Sequence, residues 1–198
     1  MINKYGLEKI VFKNRSYRRF HEKEKIHTEL LKNLLNMARL TPSSANLQPL
    51  KYFISNDEKT NAIIFPNLKW AGYLSDWEGP QEGERPSAYI VIALDTSICK
   101  NACYDVGIAA QTILLGAVDA GYGGCIIASF NKEKLAENLK FPSNLKIELV
   151  IALGKVKESV MLETVKNGDV KYWRDKNKVH HVPKRTLDDI LIPNVIKD

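Results

Sequence analysis

Residues 40–53 read LTPSSANLQPLKYF and join two segments of different character. Upstream, HTELLKNLLNMARL at 27–40 carries apolar side chains at helical spacing, and Thr28 is available as an N-terminal cap. Those apolar positions are Leu30, Leu31, Leu34, Leu35 and Ala38. Downstream, LKYFISN at 50–56 is rich in aromatic and β-branched residues, as strands are. The stretch predicts a helix, a polar turn and a strand, and the turn holds more hydrogen-bonding groups than its length requires.

The rest of the chain alternates irregularly between predicted strands and helices. AYIVIALD at 88–95, CIIAS at 125–129 and IELVIALG at 147–154 predict strands. NACYDVGIAAQTILLGAVDAGYGG at 101–124 predicts a long helix that ends in glycines, and NKEKLAENL at 131–139 predicts a short one capped by Asn131. One face of the long helix carries mostly small side chains, which let another backbone approach closely. Such a face suits the middle of a core or a subunit interface. Its positions are 102, 106, 109, 110, 113, 117 and 120.

Two long segments lack any sustained periodicity. Residues 65–87 contain prolines, glycines and the aromatic residues Trp70, Tyr73 and Trp77, which predicts a lid-like loop. Exposed aromatics there would suit a ligand surface, and a packing role for them is equally open. The polar tail at 155–198 must dock on the rest of the protein to stay ordered.

Composition limits the class of protein. With 198 residues, 44% of them hydrophobic, the chain is long enough for one domain with a sizeable core. It has no apolar run near the roughly 18 residues of a membrane span, and its first residues mix charge into every turn, so we expect a cytoplasmic protein without a membrane partner. Three cysteines without a paired short spacing predict reduced thiols and no metal site.

The net charge of +6 favours an anionic partner, whether nucleic acid, a membrane surface or a phosphorylated small molecule. Lysines are dispersed, whereas arginines gather in RSYRR at 15–19. Planar guanidinium groups next to the Ser16 hydroxyl suit a phosphate dianion, although a solvated basic turn is an even alternative. No nucleic-acid recognition motif accompanies the charge, so a nucleic-acid-binding domain is the weakest interpretation.

Three other motifs each have a simpler explanation beside a ligand-binding or metal-binding role. PSSANLQP alone fits a well-capped turn, but its occurrence after a basic cluster and a helix favours a ligand with an anionic end and a heteroaromatic edge. GYGGC at 121–125 follows a helix and opens a strand, the reverse of a dinucleotide-binding fingerprint, so it predicts a helix stop. His180 and His181 would face opposite sides of a strand, which argues against one shared metal.

In the order and spacing of these motifs the chain resembles the nitroreductase family of FMN-dependent oxidoreductases over nearly its full length. The pieces that carry the resemblance are RSYRRF, ARLTPSSANLQPLKYF, YDVGIAAQTILLGAVDAGYGG, CIIASF, IELVIALG and PKR at 183–185. The resemblance implies an α+β fold with a central mixed, mainly antiparallel sheet flanked by helices. It also implies one FMN-binding domain over 1–198 that forms a homodimer.

The resemblance also implies which residues bind the flavin. Arg15 and Ser16 match phosphate and ribityl ligands, and Arg18 matches the catalytic cation beside flavin N1 and O2. Lys184 and Arg185 match further phosphate ligands. Pro42, Ser43, Ser44, Asn46 and the nearby Gln48 would approach from the partner subunit. A backbone amide near Ala128 and Ser129 would face flavin N5, and Asn67 and Lys69 would lie at the pyrimidine edge.

The implied activity is transfer of a hydride from NADH or NADPH through FMN to a small electrophile, such as a nitro compound, quinone or enone, by a ping-pong mechanism. An alternative is a slow or non-catalytic FMN-binding protein for sensing, storage or delivery of FMN. Three departures from the family pattern bear, in this order, on phosphate binding, on the shape of the pocket and on nitroaromatic specificity. Asn14 stands in place of a second arginine, Leu50 in place of a tryptophan, and CIIASF lacks the Pro and Glu of the best-known nitro reducers.

Overall fold

The computed structural model describes residues 6–193, which divide into two compact units. The first unit comprises the chain up to Trp70 together with Glu78–Lys157. The second comprises Ala71–Trp77 together with the chain from Glu158 onward. The segment predicted as a lid is therefore divided between the two units, and the predicted tail supplies most of the second.

The first unit is built on a four-stranded antiparallel sheet. Its strands are β1 (Leu50–Ser55), β2 (Ala88–Asp95), β3 (Gly123–Ile127) and β4 (Leu145–Gly154), in the order β1-β2-β4-β3. Every residue of β2 is buried, as expected for an interior strand covered on both faces. A parallel bridge between Ser16 and Gly124 adds to the β3 edge. This arrangement confirms the predicted α+β class with a mainly antiparallel sheet.

Five helices accompany this sheet among the described residues. They are α1 (Leu7–Lys13), α2 (Thr28–Arg39), α3 (Glu58–Ile64), α4 (Cys103–Asp119) and α5 (Lys132–Asn138). Asn131 caps α5 as predicted, since its side chain accepts a hydrogen bond from the Lys134 amide. Thr28 is the first residue of α2 and not its cap, because His27 occupies the cap position. None of the described helices is long and apolar enough to cross a membrane.

The small face of α4 lies in the core of the first unit. All of its predicted positions are buried except Ala120, which follows the end of the helix. Helix α2 packs here, and a Cβ atom added to Gly116 would lie only 2.8 Å from Leu34 Cδ2. Of the two roles open from the sequence, the structure thus gives this face the core role.

The second unit contains a three-stranded sheet that the sequence did not predict. Strand β7 (His180–Lys184) lies between β5 (Val160–Thr164), to which it is parallel, and β6 (Trp173–Arg174), to which it is antiparallel. The Arg174 guanidinium lies 4.5 Å from the Trp77 ring centroid and donates a 2.6 Å hydrogen bond to Glu158. The segment 71–77 thereby packs on this sheet.

Two details of the predicted loop and strand differ from expectation. Trp70 is buried and its ring lies 5.8 Å from that of Phe65, so it packs in the first unit and does not form an exposed ligand surface. Strand β3 begins two residues earlier than predicted, because Gly123 and Gly124 pair with Gly154 and Leu153.

Candidate functional site

The segment 15–18 lies alongside the beginning of β3. The Tyr17 amide donates a 3.0 Å hydrogen bond to the Gly124 carbonyl, and Ser16 bridges to the same glycine. A Cβ atom on Gly124 would collide with the Ala152 carbonyl oxygen, and one on Gly123 would lie 2.7 Å from Tyr17 Cδ2. Gly123 therefore allows the basic segment to approach the sheet closely, which holds that segment at the β3 edge, whereas Gly124 allows β3 to pack closely against β4.

Arg15 has the features of an anion-binding residue. Its Nη2 donates to the Val11 carbonyl at 2.7 Å, while its buried Nε has no hydrogen-bond partner. Within residues 6–193, Arg15 forms no ion pair. Ser16 beside it is exposed, and Arg18 Nη1 donates to the Ser16 carbonyl at 3.2 Å. A positive charge without a described carboxylate partner, next to an exposed hydroxyl, fits a phosphate.

Arg19, the third arginine of the basic cluster, is structural. It is buried and donates two 2.6 Å hydrogen bonds to Glu84, whose carboxylate also lies 3.1 Å from Lys157 Nζ. The hydrogen bonds from Arg19, with those from Lys157, outweigh the effect of burial and lower the pKa of Glu84 to about 2. Sequence alone could not separate Arg19 from its neighbours, because Glu84 is distant in the chain.

The chain after β3 lies beside the segment 67–69. The Lys69 amide donates to the Ser129 carbonyl at 2.9 Å, and the Asn131 amide donates to the Asn67 carbonyl at 3.0 Å. Lys69, Ala128 and Ser129 are exposed, whereas Asn67 is buried and its Nδ2 donates to the Ile63 carbonyl. The structure therefore joins these four predicted residues just beyond the far end of β3, whose last residue, Ile127, lies roughly 10 Å from Gly124 by the rise of a strand.

The loop Pro42–Gln48 is held by Asp105 of α4. The Ser43 hydroxyl donates to Asp105 Oδ2, and the Ser44 amide donates to Asp105 Oδ1 at 3.1 Å. The Gln48 amide in turn donates to Ser43 Oγ at 2.9 Å. The loop also contains three residues other than glycine with left-handed backbone, at φ 50°, 53° and 50°. They are Ala45, Asn46 and Gln48.

Four predicted ligands in this loop are exposed, although Gln48 Nε2 donates to the Asn46 carbonyl at 3.2 Å and to Asn46 Oδ1 at 3.1 Å. The four are Pro42, Ser44, Asn46 and Gln48. The Ser43 hydroxyl, by contrast, is engaged inside the loop as donor and as acceptor. The predicted contact of the loop with a flavin of the partner subunit stays a prediction.

Asp105 is a site residue that the sequence analysis missed. Its residue is 4% exposed, and burial raises the pKa of its carboxyl, but hydrogen bonds from Ser43 and Ser44 outweigh burial and hold the pKa below its ordinary value. A signal was present in the sequence, since an acidic residue stands beside the small positions 102, 106 and 109 of a helix predicted to be buried there.

The remaining predicted residues lie in the second unit. Lys184 ends β7, Arg185 follows it, and both are exposed, so their part in a phosphate site stays a prediction. His180 and His181 are adjacent in β7, and His181 Nδ1 lies 2.6 Å from Glu163 Oε1. Among residues 6–193, no group of three or more His, Cys, Asp or Glu side chains is arranged to hold a metal ion.

Exposed apolar side chains lie on α4 and on neighbouring parts of the first unit, and we refer to them together as the apolar surface around α4. Tyr104 is 77% exposed, and Ile108, one turn further along α4, is 40% exposed. Further exposed apolar side chains lie on α1, on α2 and in the loop that Asp105 holds. They include Phe12, Met37, Leu40 and Leu47. Apolar side chains concentrated in this way are typical of a protein interface.

Comparisons with known proteins bear on the family and the fold. A family model described as the nitroreductase family matches residues 11–77 and 84–155. A nitroreductase family protein from Clostridium novyi NT is 26% identical, with a TM-score of 0.63, over 76% of this chain and 86% of that one. An FMN-dependent nitroreductase from Clostridium difficile R20291 is 25% identical, with a TM-score of 0.60, over 80% of this chain and 91% of that one.

A third structure supports the fold alone. A nitroreductase family protein from Streptococcus pneumoniae TIGR4 is 16% identical, with a TM-score of 0.67, over 94% of this chain and 98% of that one. The predicted resemblance and the predicted nitroreductase-like fold are both confirmed by these matches.

Proposed function

Because this chain belongs to the nitroreductase family, we propose that it is an FMN-dependent oxidoreductase. In this proposal NADH or NADPH is the electron donor, and a small electrophile, such as a nitro compound, quinone or enone, is the acceptor. The observation that carries the proposal is Arg15, a half-buried cation without an ion pair in the described chain, at the β3 edge beside the exposed Ser16. Support also comes from the similarity to an FMN-dependent nitroreductase.

Residues at the two ends of β3 have the chemistry to bind the two ends of FMN. Arg15 and Ser16 would hold its phosphate and ribityl groups, since a guanidinium and a hydroxyl are the donors that such groups accept. At the other end of β3, Lys69 and the backbone around Ala128 and Ser129 would contact the flavin ring, because these groups are exposed there. Lys184 and Arg185 are proposed to add positive charge to the phosphate site.

The redox chemistry belongs to the cofactor, which when bound takes a hydride from the nicotinamide and passes it to the acceptor. Arg18 would keep a positive charge beside the ring and stabilise the negative charge that reduction creates. No side-chain acid or base is needed for this role. Donor and acceptor would use the same open face in turn, which gives ping-pong kinetics.

The proposed assembly is a homodimer. The apolar surface around α4 would be covered by the second subunit, and the loop Pro42–Gln48 of each subunit would complete the flavin site of the other. Two observations support this proposal: Ser44 and Asn46 are exposed, and the Ser44 amide bonds Asp105, which follows the exposed Tyr104 in α4.

Arginine variants test the proposed function. The purified chain should bind FMN and oxidise NADH or NADPH with a naphthoquinone or a nitrobenzoate as acceptor. Arg15→Ala should raise the Kd for FMN roughly tenfold or more, because it removes a charged donor to the phosphate. Arg18→Ala should slow flavin reduction, followed by stopped-flow absorbance, by about tenfold or more with a smaller change in Kd.

Arg39→Ala is the matched control, since Arg39 is an exposed arginine on α2 that bonds Asn36. It should leave the Kd for FMN and the reduction rate unchanged. A protein that takes up no FMN and oxidises neither nicotinamide with any acceptor would refute the proposed function. Unchanged reduction in Arg18→Ala would remove the role given to Arg18.

A further inference from the structure

We infer that Asp105 is a positioning residue for the flavin: it holds the loop Pro42–Gln48 in the shape that presents Ser44, Asn46 and Gln48 to the cofactor. This inference rests on the proposed function, because the loop's ligand is the FMN proposed above. Asp105 itself would not touch the flavin. It acts through Ser43 and Ser44, which are the loop residues that it bonds.

The carboxylate is placed to act as a fixed anchor. Asp105 lies in the first turn of the 17-residue helix α4, where the helix dipole favours a negative charge. The helix is packed on both α2 and the sheet, so its first turn is a rigid base. One carboxylate oxygen accepts from the Ser43 hydroxyl and the other from the Ser44 amide. The anchor thus fixes two successive residues of the loop.

Ser43 extends this anchor across the loop. Its hydroxyl donates a hydrogen bond to Asp105 and accepts one from the Gln48 amide at 2.9 Å, so one side chain ties the start of the loop to its end. Because its one donor hydrogen is used by Asp105, this hydroxyl cannot also donate to a ligand. We therefore assign Ser43 to support of the loop, and leave Ser44, Asn46 and Gln48 as the residues that face outward.

The loop needs such an anchor because burial does not hold it. Most of its residues are exposed, and Ala45, Asn46 and Gln48 have positive φ angles, which are unfavourable for residues with a Cβ atom. Strained backbone persists only where surrounding bonds enforce it. Once Asp105 can no longer accept both hydrogen bonds, the loop should sample other conformations, and the bound shape would be a smaller fraction of the population.

The test compares Asp105→Asn with Asp119→Asn, which removes an exposed carboxylate at the other end of the same helix. The asparagine side chain keeps its size but has one acceptor oxygen in place of two. The Kd for FMN, from quenching of flavin fluorescence, should rise about tenfold or more in Asp105→Asn. It should be unchanged in Asp119→Asn. Amide hydrogen exchange at Ser44 and Gln48 should become faster, while that of β2 stays slow.

Variants at Ser43 keep the test valid if Asp105→Asn does not fold. Ser43→Ala should weaken FMN binding and speed exchange at Gln48, and Ser43→Thr, which keeps the hydroxyl, should restore both. A purely structural role would lower the melting temperature of the FMN-free protein without these local changes.

The two proposals fail in different ways. If the unmodified chain binds no FMN, the proposed function is wrong, and the positioning role falls with it. If the unmodified chain binds FMN, and Asp105→Asn and Ser43→Ala bind it with unchanged affinity, only the positioning role is overturned.

Discussion

Glu84 is the shared carboxylate partner of Arg19 and Lys157 in the first unit. It is buried, accepts two hydrogen bonds from the buried Arg19, and lies 3.1 Å from Lys157 Nζ. An ion pair in this setting is costly to break from one side, because the remaining charge stays buried without compensation. The residue pairs the basic segment with the chain just before β2, and so helps to hold Arg15 and Arg18 at the β3 edge.

The lowered pKa of Glu84 makes stability depend on pH. Its pKa is about 2 in the folded chain and 4.5 ordinarily, so the unfolded chain binds the proton more tightly. The stabilisation is complete above about pH 4.5 and is lost as the pH falls toward 2, an effect of about 3 kcal/mol. We expect Glu84→Gln to lower the free energy of unfolding at pH 7 by roughly 3 kcal/mol, with a deficit that shrinks below pH 4.5.

Urea unfolding of both proteins at pH 7 and at pH 3 measures how far Glu84→Gln lowers the free energy of unfolding at each pH. Glu82→Gln, at an exposed position two residues away, is the control and should change the free energy of unfolding by no more than about 0.5 kcal/mol. An equal deficit for Glu84→Gln at both pH values would show that its carboxylate is not titrating with a lowered pKa.

The loop Pro42–Gln48 has a strained backbone that Asp105 holds in place. A substitution that relieves the strain would measure it directly. Ala45 has φ 50°, where glycine is favoured. Ala45→Gly should therefore raise the free energy of unfolding by up to about 1 kcal/mol. The same change at Ala62, an exposed position inside α3, should lower it by about 1 kcal/mol. Thermal unfolding of the FMN-free protein shows whether each variant is more or less stable than the unmodified chain. Destabilisation by Ala45→Gly would contradict a strained loop.

The elements predictable from the sequence were those with a long, clear pattern. Helix α2 has five apolar residues at helical spacing, and β2 is a continuous apolar run, so each was predicted within a residue or two. Helices α1 and α3 were missed because a helix of seven residues shows barely two turns of its period; α5 is equally short and was predicted from its cap, Asn131. The sheet of the second unit was missed because its strands are short and polar, and take their stability from pairing.

Candidate site residues were likewise predictable only where the sequence signal is local. Arg15, Ser16 and the loop Pro42–Gln48 could be selected because their chemistry is concentrated in short stretches. The contacts Ser43–Asp105 and Arg19–Glu84 could not, since each joins residues more than 60 positions apart. Those contacts decide which serine and which arginine support the site and which face outward. Only the packed chain contains that information.

A substitution in the exposed apolar surface around α4 tests whether the proposed dimer and FMN binding are coupled. Ile108→Glu would place a charge on that surface, where burial by a second subunit would leave it unpaired. We expect this variant to be a monomer by light scattering and to bind FMN at least about tenfold more weakly, since the partner's loop would be lost. Ile63→Glu is a close control, because Ile63 is 39% exposed against 40% for Ile108 but lies on α3. It should remain a dimer with unchanged affinity, and a monomeric Ile108→Glu protein that binds FMN as tightly as the unmodified chain would refute a flavin site completed by the second subunit.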